Sequence, residues 1–204
     1  MRKDIRRFVQ LANETLPLQD VIYEFGALQV AGQPEVEDLR SLFPGRPYVG
    51  CDMRPGPGVD KILNLHNLDL EESSVGSVIC MDTLEHVEYP REAVREIFRI
   101  LGDDGIAVLS SVMNFPIHGY PQDFWRFTPE GFRSLLNCFD DCFVGYYGHD
   151  DFPHTVVGLG FKGQQPPELS DFRQRYEQWR HRNNLILEKL TGERIRKGNT
   201  AESQ

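Results

Sequence analysis

The sequence predicts an α/β protein: a doubly wound, mostly parallel sheet with an antiparallel hairpin at one edge and a helix added at the C-terminus. Three observations carry the prediction. Residues 75–111 read as strand, helix, strand, with a polar segment directly after the first strand. Before them, short apolar runs alternate with stretches of helical spacing, the pattern of parallel strands joined by right-handed crossovers. After them, residues 142–147 and 155–161 alternate with the two-residue period of paired strands, and an apolar seam at helical spacing follows.

Each element has its own signal. Ile5, Phe8, Val9 and Ala12 give residues 2–15 one apolar helical face, ended near Pro17. Residues 21–25 form the first strand, and Gly26 begins the loop after it. Val36, Leu39 and Leu42 suggest a short helix over 34–43. A second strand covers 47–51 and ends in Asp52; proline and glycine exclude a regular helix over 54–60, and a third strand covers 61–65. Residues 77–81 are a buried strand. Pro90 then opens a helix with Ala93, Val94, Ile97, Phe98 and Leu101 on one face, and residues 103–105 turn the chain into a strand at 106–109.

Beyond residue 111 the segment 114–127 carries Phe115, Tyr120, Phe124, Trp125 and Phe127 among prolines and a glycine, which suits a shaped surface better than a linker. Thr128-Pro129-Glu130 is a helix start: a hydroxyl N-cap, proline at the first helical position and an acid in the first turn. Residues 164–167 mark a boundary. Leu169, Phe172, Tyr176, Trp179, Ile186 and Leu190, with Asn183 in the heptad frame, then give a helix over 168–190 with one narrow seam. The division expected is an α/β domain with its covering helix over 1–163, the amphipathic helix over 164–190 and a flexible tail over 191–204.

With 204 residues and 40% hydrophobic content, the chain can bury one sizeable core. A net charge of −9 argues against a nucleic-acid partner, whose phosphates call for a basic face. There is no long apolar run at the N-terminus, so neither a secretory signal nor a membrane span is expected, and the compartment expected is cytoplasmic. The four cysteines form no CxxC pair. His149, Asp150, Asp151 and His154 read as a polar hairpin turn, and no metal is expected.

The segment DTLEHV at 82–87 and the segment ILGDDGIAVLSS at 100–111 carry a resemblance. The first resembles the motif after the fourth strand in the small-molecule, type 11-like branch of the class I S-adenosylmethionine-dependent methyltransferases. The second resembles that family's L-x-P-G-G-x-L-x-x-S turn and strand. The resemblance covers about residues 21–162. It implies a Rossmann-like sheet, S-adenosylmethionine as cofactor, and methyl transfer to an oxygen or nitrogen of a small molecule; the segment YPQDFWRFTPEGFRSLL at 120–136 resembles a subgroup of the family linked with sugar or polysaccharide precursors.

The resemblance also assigns residues. Glu24 and Gly26 match the acid and first glycine of the family's cofactor loop, whereas Leu28 and Val30 stand where its later glycines would be. Asp52 matches the acid that holds the ribose, with Met53 against the adenine; a plain turn aspartate before Arg54 is the other reading. Asn64 and Leu65 match the adenine-edge position, and Asn64 also suits a strand-end turn. Asp82, Thr83 and His86 belong to the segment that lines the cofactor, although Glu85 and His86 equally suit a cap for the helix at Pro90. Acceptor choice is left to the loop after the fifth strand. His118 and Asp123 are its candidate catalytic bases, and Tyr120, Trp125 and Arg126 its candidate acceptor-binding residues, with His118, Trp125 and Arg126 expected to line one cavity. Two rivals remain. One is a non-catalytic module that kept the fold, favoured by the poor glycine loop. The other is a nicotinamide dehydrogenase, which lacks its glycine fingerprint here. The seam of the last helix either docks on its own domain or pairs with a second copy, and a homodimer through that helix is the expectation.

Overall fold

The computed structural model describes residues 3–29, 38–119 and 122–191. Seven strands form one sheet in the order β3-β2-β1-β4-β5-β7-β6. They are β1 (Ile22–Phe25), β2 (Tyr48–Asp52), β3 (Lys61–Ile62), β4 (Val75–Cys80), β5 (Leu101–Val112), β6 (Asp141–Gly148) and β7 (Pro153–Phe161). The pairs β1–β2, β1–β4, β2–β3 and β4–β5 are parallel, and β7 runs antiparallel to both β5 and β6. The sheet is built outward from β1 to β3 and restarts at β4 on the other side of β1. This reversal opens a crevice at the carboxyl ends of β1 and β4, the usual ligand position in such folds.

Successive side chains of a strand face opposite sides of the sheet. Ile22, Ile79, Val108 and Val157 therefore join one core, and Tyr23, Phe25, Val78, Cys80, Ala107 and Leu109 join the other. The first core is covered by α1 (Lys3–Thr15) and the last helix, α4 (Leu169–Thr191). The second is covered by α2 (Pro90–Ile100) and α3 (Pro129–Leu135). In α3 the Thr128 hydroxyl accepts a 3.0 Å hydrogen bond from the Gly131 N–H, and proline opens the first turn.

The described part of the α4 seam docks on its own domain, the side chains of Ile186 and Leu190 lying outside the described residues. Leu169, Phe172, Tyr176 and Trp179 are buried in the first core. Phe172 packs edge-on to Phe8 and Phe143, and the Tyr176 phenol donates to the Tyr146 carbonyl while accepting from the Tyr146 N–H, both at 2.7 Å. The seam as far as Asn183 thus has an intramolecular partner and needs no second chain to cover it.

Several boundaries differ from the sequence expectation, those of β5 and β3 most. Residue 101 ends the helix and opens β5, so Leu101 is a strand residue. The turn at 103–105 is a register irregularity inside β5, with Asp104 at φ 60°. The third strand is only two residues long, because Asn64 and Asn67 bridge into a tight turn directly after it. Of the short helix expected over 34–43, Arg40–Leu42 is a 3-10 turn and residues 34–37 lie outside the described residues, as do the tail beyond residue 191 and Tyr120.

Candidate active site

A cavity of about 530 Å³ opens at the carboxyl ends of β1, β2 and β4. Glu24 in β1 lines it and is buried. The Tyr48 phenol from β2 donates a 2.7 Å hydrogen bond to Glu24 Oε2. Burial pushes the Glu24 carboxyl up to about 7, against the opposing pull of that hydrogen bond. Gly26 follows at φ 83°, a conformation natural to glycine. A Cβ there would stand 2.1 Å from Thr83 Oγ1, so the loop after β1 lies directly on the segment after β4.

Leu28 stands where the sequence lacks a second glycine. Leu28 lines the cavity, and the loop over 54–60 packs onto it through its own glycines. A Cβ on Gly56 would meet Leu28 Cδ1 at 2.4 Å, and one on Gly58 would meet the Ala27 carbonyl oxygen at 2.4 Å. The Gln29 N–H donates to the Pro57 carbonyl at 2.9 Å, tying the two loops together. The glycines of the second loop thus let it pack closely on the first.

Asp52 lines the cavity beside Met53, whose side chain is over half exposed. Its Oδ1 accepts from the Arg54 N–H at 3.0 Å, so Asp52 braces its own turn while facing the cavity. Asn64 and Leu65 also line it. Asn64 Oδ1 accepts from the His66 N–H at 3.0 Å, the turn role left open by the sequence.

After β4 the chain turns sharply. Asp82 stands at φ 44°, with its N–H donating to Ser110 Oγ at 3.0 Å and its Oδ1 accepting from the same hydroxyl at 2.9 Å. Leu84–His86 is a 3-10 turn rather than a cap for α2. It buries Glu85 completely, where Oε2 accepts a 2.7 Å hydrogen bond from Ser111 Oγ of β5. His86 enters the cavity with Nδ1 on the Gln122 carbonyl. Burial holds its imidazole below the ordinary histidine range, opposed by that hydrogen bond, and His118 pushes in the same direction as burial.

Residues 113–119 and 122–127 pack over this turn. The Phe124 and Trp125 N–H groups both donate to the Glu85 carbonyl, at 2.8 and 3.2 Å. His118 lies edge-on to His86 with ring centroids 4.7 Å apart. Its Nδ1 is 3.1 Å from the Pro116 carbonyl and 3.3 Å from Asp123 Oδ2. Asp123 also accepts from the His118 N–H at 2.7 Å and is gripped by both terminal nitrogens of Arg126. The guanidinium holds the Asp123 carboxyl well below the usual carboxylate range.

Ten of the residues singled out from the sequence therefore share one cavity: Glu24, Gly26, Asp52, Met53, Asn64, Leu65, Asp82, Thr83, His86 and His118. Asp123 stands behind His118. The expectation that Trp125 and Arg126 line the cavity is not met. Arg126 is committed to Asp123 and to the Phe115 and Pro116 carbonyls, and the Trp125 indole N–H donates to the Val87 and Glu88 carbonyls. Phe115, Gln122 and Phe124 line the cavity instead. Sequence reasoning also passed over Glu85 as a site residue. Its signal was an acid beside His86 in a segment that need not cap α2.

Residues 52–109 match the family described as "Methyltransferase domain". No curated protein sequence matches the chain significantly. Among solved structures, the chain is similar to an S-adenosylmethionine-dependent methyltransferase of Thermotoga maritima, with TM-score 0.55 and 18% identity over 78% of this chain and 91% of that one. It is also similar to the 1,6-didemethyltoxoflavin N1-methyltransferase of Burkholderia thailandensis bound to S-adenosylhomocysteine, with TM-score 0.59 and 15% identity over 79% of each chain. A methyltransferase of Archaeoglobus fulgidus gives TM-score 0.55 and 12% identity over 77% of this chain and 94% of that one.

Proposed function

We propose that this chain, a class I S-adenosylmethionine-dependent methyltransferase, moves the cofactor's methyl group in line to an oxygen or nitrogen of a small polar molecule, with sugars and polysaccharide precursors as the favoured acceptor class. The observation that carries the reading is one cavity joining the strand ends of β1, β2 and β4 to His118 in the loop after β5.

The donor set fits the cofactor. Glu24, Asp52, Asp82 and Glu85 all line the cavity, and carboxylates suit a ligand bearing a sulfonium, an ammonium and a ribose diol. When bound, S-adenosylmethionine supplies an activated methyl group whose departure needs no acid. Asp52 would hold the ribose with Met53 at the adenine face and Asn64 and Leu65 at its edge. Glu24, Gly26, Asp82, Thr83 and His86 would surround the methionine part. Alignment in such a site supplies most of the rate. The imidazole side of the cavity serves the acceptor: His118 is oriented by Asp123, which is fixed in turn by Arg126. A hydroxyl acceptor gains from a group there that removes its proton. Phe115 and Phe124 give this side the apolar faces on which a sugar ring can rest. That the Burkholderia neighbour acts on 1,6-didemethyltoxoflavin supports a small-molecule acceptor.

The test is turnover of isotope-labelled S-adenosylmethionine with a panel of sugars, nucleotide sugars and small amines, following S-adenosylhomocysteine and labelled product by mass spectrometry. Label in a sugar hydroxyl is the expected result. Tight S-adenosylhomocysteine binding with label only in amines would move the acceptor class to nitrogen. No binding would return the chain to a non-catalytic module.

A further inference from the structure

We propose that Glu85, His86 and His118 form a divalent-cation site inside the cavity, taking a transition-metal ion such as Zn²⁺, Mn²⁺ or Fe²⁺. Among the described residues these three bring their ligand atoms within 4.8 Å of one another. Two of the three come from the turn after β4 and one from the loop after β5, so the backbone contacts of Phe124 and Trp125 to Glu85 hold the set together. A cation with ligands at about 2.0–2.1 Å needs them roughly 3–4 Å apart, which side-chain rotation of the order of 1 Å provides.

The hydrogen bonds around the cluster are those a metal centre requires. His86 Nδ1 faces the Gln122 carbonyl, and His118 Nδ1 faces the Pro116 carbonyl at 3.1 Å and Asp123 Oδ2 at 3.3 Å. Carbonyl and carboxylate oxygens only accept, so each Nδ1 carries the proton and each Nε2 carries the lone pair. Asp123 behind His118 gives the carboxylate–histidine arrangement that raises ligand basicity and fixes the ring. Ser111 Oγ does the same for Glu85, donating to Oε2 at 2.7 Å. A cluster serving only to fill space would not need both imidazoles set in the same tautomer.

Two imidazoles and one carboxylate suit borderline transition metals better than Mg²⁺ or Ca²⁺, which prefer oxygen. Three protein ligands leave coordination positions open, the mark of a catalytic rather than a structural centre. The role of the ion rests on the methyl-transfer reading. In that role the cation takes the acceptor's hydroxyl oxygen and lowers its pKa, and the proton leaves to solvent water. The oxygen lone pair forms the new C–O bond as the S–C bond breaks, its electron pair staying on sulfur to give neutral S-adenosylhomocysteine. His118 then serves as a ligand and the cation activates the acceptor. The absence of a metal expected from the sequence is replaced by this site, because its ligands are joined by a loop whose path the sequence does not display.

The test is titration of tag-free, chelator-stripped full chain with Co²⁺, read by calorimetry and by visible d–d absorption. One Co²⁺ per chain is expected, with binding at least about 10-fold weaker in His86→Ala and His118→Ala and about 10-fold weaker in Ser111→Ala. Cu²⁺ electron paramagnetic resonance of the wild type reads the ligands without a substitution and should show coupling to two nitrogens. Absence of saturable Co²⁺ binding, binding unchanged in both histidine variants, or no nitrogen coupling overturns the site. A parallel S-adenosylhomocysteine titration separates the two readings. Cofactor binding without Co²⁺ overturns the cation site alone, whereas Co²⁺ binding without cofactor supports the site and overturns the cofactor reading.

Discussion

Tyr48 donates a hydrogen bond of 2.7 Å to Glu24 between adjacent strands, and Glu24 faces the cavity from that position. Burial raises the carboxyl from 4.5 to about 7, so the folded protein holds a proton that the unfolded chain releases above pH 4.5. The stability this contributes is complete below pH 4.5 and is lost as pH rises through about 7. Converted at 1.36 kcal/mol per pKa unit, the loss is of the order of 3 kcal/mol. Urea unfolding of wild type and Glu24→Gln at pH 5 and pH 8 should show that fall in the wild type only.

Asp52 braces the Arg54 N–H and faces the cavity, so its charge and its turn role can be separated. Asp52→Asn retains an oxygen for Arg54 but loses the carboxylate. Calorimetry should show S-adenosylhomocysteine binding weakened by about 10-fold, equivalent to about 1.4 kcal/mol, with the melting temperature of the unliganded protein nearly unchanged.

Arg126 lowers the Asp123 carboxyl below its ordinary value of 3.8. The stability from this pair is present above pH 3.8 and is lost as pH falls below it. Arg126→Met leaves a buried carboxylate without its guanidinium. It should cost about 2 kcal/mol at neutral pH, the scale of hydrogen bonds to charged groups, and should flatten the acid limb of a pH-stability curve. Because Asp123 fixes His118, turnover should fall as well, with S-adenosylhomocysteine affinity preserved.

Gly26→Ala meets two obstacles, the positive φ and the Thr83 hydroxyl. A loss of about 2 kcal/mol or more is expected from a β-carbon forced into that conformation and contact. Removing the hydroxyl in Gly26→Ala/Thr83→Ala should return only part of it, since a Cβ at residue 26 would still lie 3.1 Å from the Thr83 Cβ. Thermal melts of the two variants against the wild type measure the split.

Phe172 is fully buried between Phe8 and Phe143. Phe172→Ala should cost about 3–5 kcal/mol. If the seam serves the chain's own core, light scattering should give the same mass for wild type and variant. A dimer turning to monomer would restore the pairing role.

The sheet was legible because its strands are short apolar runs set between helical stretches, and burial on both faces leaves that mark. The strand-end wall of the cavity was legible for a related reason: residues such as Asp52 and Asp82 sit where strands end, and strand ends converge in this topology. The wall built by the loop after β5 was harder to read. Asp123 and Arg126 read as a base and an anion receptor, whereas three residues apart on a curved loop they bind each other. Glu85 and His118 meet because the backbone N–H groups of 124 and 125 return to the Glu85 carbonyl in the turn at 84–86. Backbone contacts of that kind are independent of side-chain identity and leave no sequence signal. The heptad seam of α4 disclosed that the helix needed a partner but not that α1 and β6 would provide it.

The two hydrogen bonds from Phe124 and Trp125 to the Glu85 carbonyl have a consequence for how the protein can change. Main-chain atoms make this joint, so it survives replacement of either side chain. Phe115 and Phe124 form part of the cavity wall, on the side proposed for the acceptor, while the joint keeps His118 registered against Glu85 and His86. The wall and the chemistry are thereby separable modules. On the proposed reading, natural variation or directed evolution can reshape the wall at residues 115 and 124 without having to rediscover the arrangement of Glu85, His86 and His118.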